Sequence, residues 1–482
     1  MDVKEFALLV LDQLPFEPTD QQIQLVAALS RFCSAATPAD SVFLLNGYAG
    51  TGKTSVMGAL VRTLEATGIH TVLLASTGRA AKVFSAFTGM PAHTIHRKIY
   101  RSPGIGPDGR FEARLCPNPH INTVFIVDEA SMIGDDPTGA SSLLQDLVMY
   151  VYTGINCRLI LLGDTAQLPP VGLSESPAMD PLKLKEMGLR VTRAVMTRTV
   201  RQKQRSGILF NATALRRALR QNPLPEPSLT ATPFSDIDIV DPEDLEDRLR
   251  RSFDRYGEGE TIMITRSNRR AVDFNRAIRA AIFDREEVMV RGERLLVAKN
   301  NYFWCRLSVV TQGGVEQTQA ERSMDFIANG DTAIVEEIYS TEERQGVNFA
   351  DARLYFPDHN ARADTKLLLD ALTAETAGAA PDTLARLTSI AFADAGITAQ
   401  ASVTAQRKAL KESPYANALQ VKYAYAVTCH KAQGGQWRSV FVDMGYIPPE
   451  AYHTEDFYRW LYTAVTRASD RLHLVNPSLP VN

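Results

Sequence analysis

Four short apolar runs punctuate the first half of the chain, at 42–45, 71–75, 124–127 and 159–162, each followed by turn or polar residues. Uninterrupted runs of this length predict strands buried on both faces, as in a parallel sheet covered by helices. Between the first two lies SVMGALVRTLEATG, where Val56, Met57, Leu60, Val61 and Leu64 recur at helical spacing before Gly68. That is an amphipathic helix with a glycine terminator. Strand, helix and strand in this order predict a βαβ unit. A second set of runs, TIMIT from Thr261, DTAIVEEI, QVKYAYAVT, SVFVDM and RLHLV, predicts a second α/β domain.

Two stretches break the pattern. RKIYRSPGIGPDGRFEARLCPNPH interrupts the first domain before its third strand, and its PDG turn between Tyr100 and Phe111 suits a β-hairpin. Residues 302–419 change character, from the Gly-rich GGVEQTQAER to the Ala- and Pro-rich TAETAGAAPDT and helix-compatible segments, and read as one or two insertions in the second domain.

Composition narrows the class. The 482 residues are 45% hydrophobic and 22% charged, room for two to four globular domains. Five cysteines lie far apart without a CxxC pair, which supports neither a zinc site nor a disulfide framework and fits a reducing cytoplasm. The opening MDVKEFALLVLDQLPFEPTD lacks a basic leader, and no apolar run reaches the roughly 18 residues of a membrane span. The net charge of −3 gives no global basic excess. A nucleic-acid strand would then lie in a local groove, held by backbone amides, hydroxyls and a few cations.

The first strand runs into Gly47-Tyr-Ala49-Gly50-Thr51-Gly52-Lys53-Thr54, a full GxxxxGKT, and then into the helix. In that context backbone N–H groups and the helix N-terminus cradle phosphates, Lys53 reaches the β and γ phosphates of ATP, and Thr54 binds Mg²⁺. Asp128-Glu129-Ala-Ser follows the buried run VFIV, so its carboxylates emerge where ligands sit in open α/β sheets. Asp128 suits Mg²⁺ and Glu129 suits polarising the attacking water, although acids at a helix start also answer its dipole. In LILLGDTAQLPPVG, Gln167 follows a strand and can sense the γ-phosphate or orient water. Asp164 and Gln167 could equally cap the turn. Thr19-Asp-Gln-Gln22 is a capping box before a helix. Arg201, in MTRTVRQ, and Arg467, in YTAVTRA, are candidate arginine fingers, a residue type with ordinary helix-capping uses as well.

Taken in order, TxxQ, GYAGTGKT, STGRAAK with TIHR, DEAS, GDTAQLPPVG, RTVRQ, AVTCHKAQGG and YTAVTRA resemble the successive motifs of superfamily 1B helicases, the RecD and Dda branch. The resemblance runs from about Thr19 to Ala468. It implies two RecA-like P-loop domains with parallel sheets, residues 1–97 with 120–235 and 236–301 with 420–482, and a hairpin pin at 98–119, while the composition of 302–419 reads as a partly helical insert in the second. It implies an ATP-dependent DNA helicase moving 5′ to 3′ on single-stranded DNA and opening duplex junctions, with a monomer as the working expectation and protein partners undefined. An RNA-preferring helicase and an ATP-switched binding module without unwinding are the alternatives.

Carried over residue by residue, Gln22 resembles the adenine reader, Asp128 and Glu129 the metal and water pair, Gln167 the sensor, and Arg201 and Arg467 the fingers. Thr77, His96, Thr428 and His430 match segments that touch DNA, and Phe111 flanks the expected pin. Turn hydroxyls are the plain alternatives for Thr77 and Thr428, and core-facing histidines for His96 and His430. Gly435 and Gln436 stand where relatives often carry a Glu close to the nucleotide sugar, which places Gln436 among the nucleotide contacts. Nor does 302–419 read as the small β-barrel that relatives insert there, and its helical composition suggests a different insert.

Overall fold

A computed structural model describes residues 2–105, 111–134, 142–198, 206–304, 327–445 and 447–481. The chain forms two compact units, one of Met1–Ile99, Leu115–Pro242 and Ala432–Asn482, the other of Tyr100–Arg114 and Glu243–Lys431.

The first unit is built on a six-stranded sheet in the order Ala92–Thr94, His70–Ala75, Thr123–Asp128, Arg158–Gly163, Ser41–Gly47 and Arg190–Met196. Its strands pair in parallel, with Val42 opposite Leu159 and Val191, and Val72 opposite Phe125. All four expected apolar runs are in it. Val42, Phe43, Leu45, Phe125, Ile126, Val127 and Leu159 to Leu162 are wholly buried, because helices cover the sheet. On one face Phe6, Leu25, Leu29, Val56, Leu60 and Leu64, from the helices Val3–Asp12, Asp20–Phe32 and Lys53–Ala66, pack against Phe43, Ile126 and Ile160. Each such side chain contributes roughly 1.5–3 kcal/mol by leaving water. Parallel pairing brings the C-terminal ends of Ser41–Gly47, Thr123–Asp128 and Arg158–Gly163 to one edge, where the P-loop, the DEAS turn and the GDTAQ loop begin. Three further parallel strands, Ile237–Val240, Ala468–Val475 and Trp437–Asp443, belong to this unit, with Ala468–Val475 in the middle.

In the second unit Thr261–Thr265 pairs in parallel with Ala426–Thr428, beside the helix Asn268–Ala281. The α/β class expected from the apolar runs therefore holds.

The expectation for 302–419 does not. Arg294–Val297, Thr332–Arg344, Val347–Phe356, Ala361–Leu368 and Leu419–Tyr423 close into a five-stranded barrel. The stretches DTAIVEEI and QVKY, expected above as strands of the second α/β domain, are barrel strands, and Thr332–Arg344 pairs antiparallel with Val347–Phe356. The physical signal was alternation. Ala333 and Val335 are buried while Thr332 and Ile334 are not, a two-residue period that marks a strand with one face on a core. The helical composition is real but local, since Pro381–Asp394 and Val403–Glu412 lie between the fourth and fifth strands. Leu387 and Ile390 seat the first of these helices against Val347, Phe349 and Leu368.

The hairpin region contains two paired strands, Tyr100–Ile105 and Phe111–Leu115. The Pro107-Asp108-Gly109 turn lies outside the described residues, as do Arg201 and the GGVEQTQAER segment.

Candidate nucleotide site

The P-loop leaves Ser41–Gly47 and enters the helix Lys53–Ala66 through Gly50 at φ +75° and Gly52 at φ +82°, left-handed conformations that disfavour side chains. Gly47 makes room in another way. A Cβ there would lie 2.5 Å from Lys53 Cδ. The Lys53 ammonium turns back on its own loop and donates to the carbonyls of Gly47 and of Tyr48, the latter at 3.3 Å. Thr54 follows in the first helical turn.

The capping box at Thr19 is present, with Gln22 Oε1 accepting from Thr19 N–H at 2.9 Å. Gln22 does more than cap. It is wholly buried, and its Nε2 donates to the carbonyl of Thr51 at 3.2 Å, which fixes the start of this helix to the phosphate loop.

Asp128 ends its strand and accepts from the N–H of Glu129 at 2.9 Å. Burial, reinforced by the neighbouring Glu129 carboxylate, raises Asp128 to about 6 against the opposing pull of Lys53. The two acids and the P-loop cation are thus electrostatic neighbours. Glu129 holds a left-handed backbone, φ 53°, which costs a non-glycine residue about 1–3 kcal/mol and must be held by its surroundings. Ser76 contributes, donating to the Glu129 carbonyl at 2.6 Å.

The GDTAQ loop is held from several sides. Asn46, at the end of the P-loop strand, donates to Thr165 Oγ1 at 2.8 Å and accepts from Thr165 N–H at 3.2 Å. The N–H of Leu168 donates to Thr463 Oγ1 at 2.8 Å, and Gln433 Nε2 donates to the Leu168 carbonyl at 2.6 Å. Gln433 and Thr463 come from AVTCHKAQGG and YTAVTRA, so side chains of the two C-terminal motifs grip the loop that carries Gln167. Gln167 is 5% exposed, and its Oε1 has no hydrogen-bond partner among the described residues.

Arg467 lies in the same compact unit as Lys53. It is 3% exposed and donates to the carbonyls of Thr463 at 3.0 Å and Gly435 at 3.1 Å and to Thr466 Oγ1 at 3.1 Å. Gln436 is exposed, and its carbonyl accepts from Arg79, whose guanidinium stacks 4.1 Å over the Trp437 ring.

The residues matched to DNA contacts are divided between the units. Thr77 caps the helix Gly78–Thr88 by accepting from Ala80 N–H at 3.2 Å, and burial lowers His96 to about 4, which keeps it neutral at physiological pH. Thr428 and the exposed His430 belong to the second unit. There Thr428 lines a pocket with Asn268, Lys422 and Lys431, whose lysines donate to the Ala374 carbonyl and to Asn329. Phe111 opens the second strand of the hairpin.

Sequence reasoning missed the contacts around Tyr48 and Tyr462. Arg216 stacks 4.3 Å over the Tyr48 ring and Arg220 donates to its hydroxyl at 2.9 Å. Tyr462 reaches both Ala49 and Asp164. A tyrosine inside YTAVTRA was the available signal, but its partners stand hundreds of residues away.

Comparison with known proteins agrees with this geometry. Residues 21–221 match the family described as AAA domain, and residues 423–475 match the UvrD-like helicase C-terminal domain. The ATP-dependent RecD2 DNA helicase of Deinococcus radiodurans is 39% identical over 128 residues, 27% of this chain and 16% of the relative. The chain belongs to the superfamily 1B helicases of the RecD and Dda branch. The ATP-dependent DNA helicase dda of Enterobacteria phage T4 is 32% identical over 136 residues, 28% of this chain and 29% of that helicase. The matched segments thus span less than a third of these curated relatives. The crystal structure of Pif1 helicase from Bacteroides in complex with ADP-AlF3 and ssDNA aligns over 95% of this chain and 92% of its own, with 14% identity and a TM-score of 0.43. No helix among the described residues is long and apolar enough to cross a membrane.

Proposed function

We propose that this superfamily 1B protein is an ATP-driven motor that moves 5′ to 3′ along single-stranded DNA and separates the duplex ahead of it. The observation that carries the reading is the common sheet edge where Lys53, the Asp128–Glu129 pair and the Gln167 loop meet, with Asp128 close enough to Lys53 to feel its charge. The branch supplies the nucleic-acid part. In this reading 1–97 with 120–235 and 236–301 with 420–482 are the two RecA-like domains, and nucleotide-dependent movement between them produces the step.

The residues suit ATP and Mg²⁺. Two adjacent acids, one of them raised to about 6 by burial and its neighbour, form a site that a cation relieves. Mg²⁺ takes one or two protein ligands beside phosphate oxygens and water, so Asp128 and the Thr54 hydroxyl suffice, and among the described residues no group of three or more acids, histidines or cysteines is arranged to hold a metal ion. When bound, the ion neutralises phosphate charge. The chain's own residues do the rest. P-loop amides and Lys53 hold the phosphates, Glu129 accepts the proton of the attacking water, and Gln167 orients it. Gln22 serves the adenine, Gln436 the sugar side, and Thr77, His96, Thr428 and His430 the DNA strand.

The deciding experiment measures ATP hydrolysis with DNA or RNA oligomers and unwinding of duplexes carrying a 5′ or a 3′ single-stranded tail. We expect stimulation by DNA and unwinding from the 5′ tail. Preferential stimulation by RNA would transfer the activity to the other nucleic acid. Strand binding with ATP turnover but no unwinding from either tail would mark a remodelling module.

A moving motor also needs a fixed obstacle. The hairpin Tyr100–Ile105 with Phe111–Leu115 supplies one, and an aromatic such as Phe111 stacks on a base for roughly 1–3 kcal/mol. Shortening 101–114 to a Gly-Ser turn should preserve DNA-stimulated hydrolysis and translocation while sharply reducing unwinding. Unwinding of a 5′-tailed duplex at the parental rate would remove the hairpin from this role.

A further inference from the structure

One buried side chain in the C-terminal motif has no task in the chemistry above. Tyr462, on the helix Glu455–Val465, is 1% exposed, and its hydroxyl stands between two parts of the nucleotide site. It accepts from the N–H of Ala49, in the phosphate loop, at 2.9 Å and donates to Asp164 Oδ2 at 2.6 Å. Burial raises its pKa well above the ordinary tyrosine value, so the hydroxyl keeps its proton and remains a donor.

Asp164 passes this contact onward. It too is 1% exposed, its second carboxyl oxygen accepts from Ala166 N–H at 3.0 Å, and its carbonyl accepts from Gln167 N–H at 3.1 Å. The same carboxyl group therefore shapes the turn that presents Gln167 and anchors the hydroxyl bonded to the phosphate loop. Arg216 lies near enough to interact electrostatically with both Tyr462 and Asp164. In such a water-poor setting each bond in a chain strengthens with its neighbours, and loss of one is felt at the next.

We propose that Tyr462 is a positioning residue that couples the state of the phosphate loop to the placement of Gln167. The inference rests on the nucleotide-hydrolysis reading above. A nucleotide that re-aims the Ala49 amide changes what the Tyr462 hydroxyl accepts, and the Asp164 turn then adjusts with it. Gln167 Oε1, buried and unpartnered among the described residues, is the group whose placement this controls.

Steady-state ATP hydrolysis by the full chain tests the coupling. Tyr462→Phe keeps the ring and removes both bonds, and should lower kcat about tenfold with KM for ATP changed less than about threefold, because the other phosphate-binding amides remain. In a Gln167→Ala background the same substitution should cost less than about twofold, since the route it acts through is already cut. Asp164→Ala should match Tyr462→Phe. Asp164→Asn leaves one acceptor oxygen for two donors, the Ala166 N–H and the Tyr462 hydroxyl, so it should retain more of kcat than Asp164→Ala but less than the parental chain. Melting curves identify any variant that fails to fold, and if Tyr462→Phe does, the two Asp164 variants carry the same comparison. Parental kcat in folded Tyr462→Phe, or losses that multiply with Gln167→Ala, would overturn the coupling. Absence of Lys53-dependent hydrolysis in the parental chain would overturn the nucleotide reading instead, so the two failures are distinguishable.

Discussion

Lys53→Ala should reduce ATP hydrolysis by at least about 10² to 10³, the loss expected when one preorganised charge-stabilising donor is removed, while the fold survives. Survival follows from what the side chain touches. Lys53 is half-buried at the start of its helix, and its ammonium donates to the carbonyls of Gly47 and Tyr48. Alanine is also the best helix former, so the turn itself is not weakened. Hydrolysis and a melting curve measured on the same preparation decide the matter, and normal turnover by the folded variant ends the P-loop argument. Glu129→Gln should act on a different step. It should still bind ATP and Mg²⁺ but turn over about 10² to 10⁴ more slowly, the usual contribution of a general base. Loss of binding instead would make Glu129 a structural residue.

Arg467 should show the other large effect. As a finger stabilising charge on the transferring phosphoryl group it would be worth about 10³ to 10⁵ in rate, with DNA affinity in the absence of ATP nearly unchanged. The structure adds a complication for the alanine variant. The guanidinium holds the Thr463 and Gly435 carbonyls, and truncation leaves buried acceptors without a donor. Arg467→Lys keeps a cation but not the planar fork, and should recover stability without recovering rate. Hydrolysis, melting and ATP-free DNA binding measured on both variants separate the roles. Equal losses of DNA binding and hydrolysis would contradict a finger. Arg201→Ala should lower hydrolysis in the same manner.

What could be read from the sequence was local. The P-loop strand, its helix and the acids after VFIV are each determined within some fifteen residues, by a buried apolar run, glycines that permit left-handed turns and a helical period. The Thr19–Gln22 capping box is local too, but the bond from Gln22 to Thr51 is not, and no pattern announces it. The barrel escaped because two helices separate its fourth and fifth strands and because its first strand, and nearly all of its last, lie outside the stretch whose composition changes. The Tyr462–Asp164 bond joins residues 298 apart in the chain. Neither residue departs from what its own helix or loop would ordinarily contain, so only the folded geometry brings them together.

The barrel begins and ends on adjacent strands. Its entry strand Arg294–Val297 and exit strand Leu419–Tyr423 are hydrogen-bonded neighbours, with Leu295 opposite Tyr423 and Ala424 N–H donating to the Arg294 carbonyl at 3.0 Å. The chain leaves the α/β framework and returns to it at almost the same point, and Ala426–Thr428 then pairs directly with Thr261–Thr265. A module attached this way behaves as a cassette. Its length and content can change without moving the strands on either side, because closing the gap beneath it costs little more than closing a tight turn. Descendants of one ancestral motor could therefore trade such cassettes and acquire new preferences for what they grip while the engine beneath stays the same.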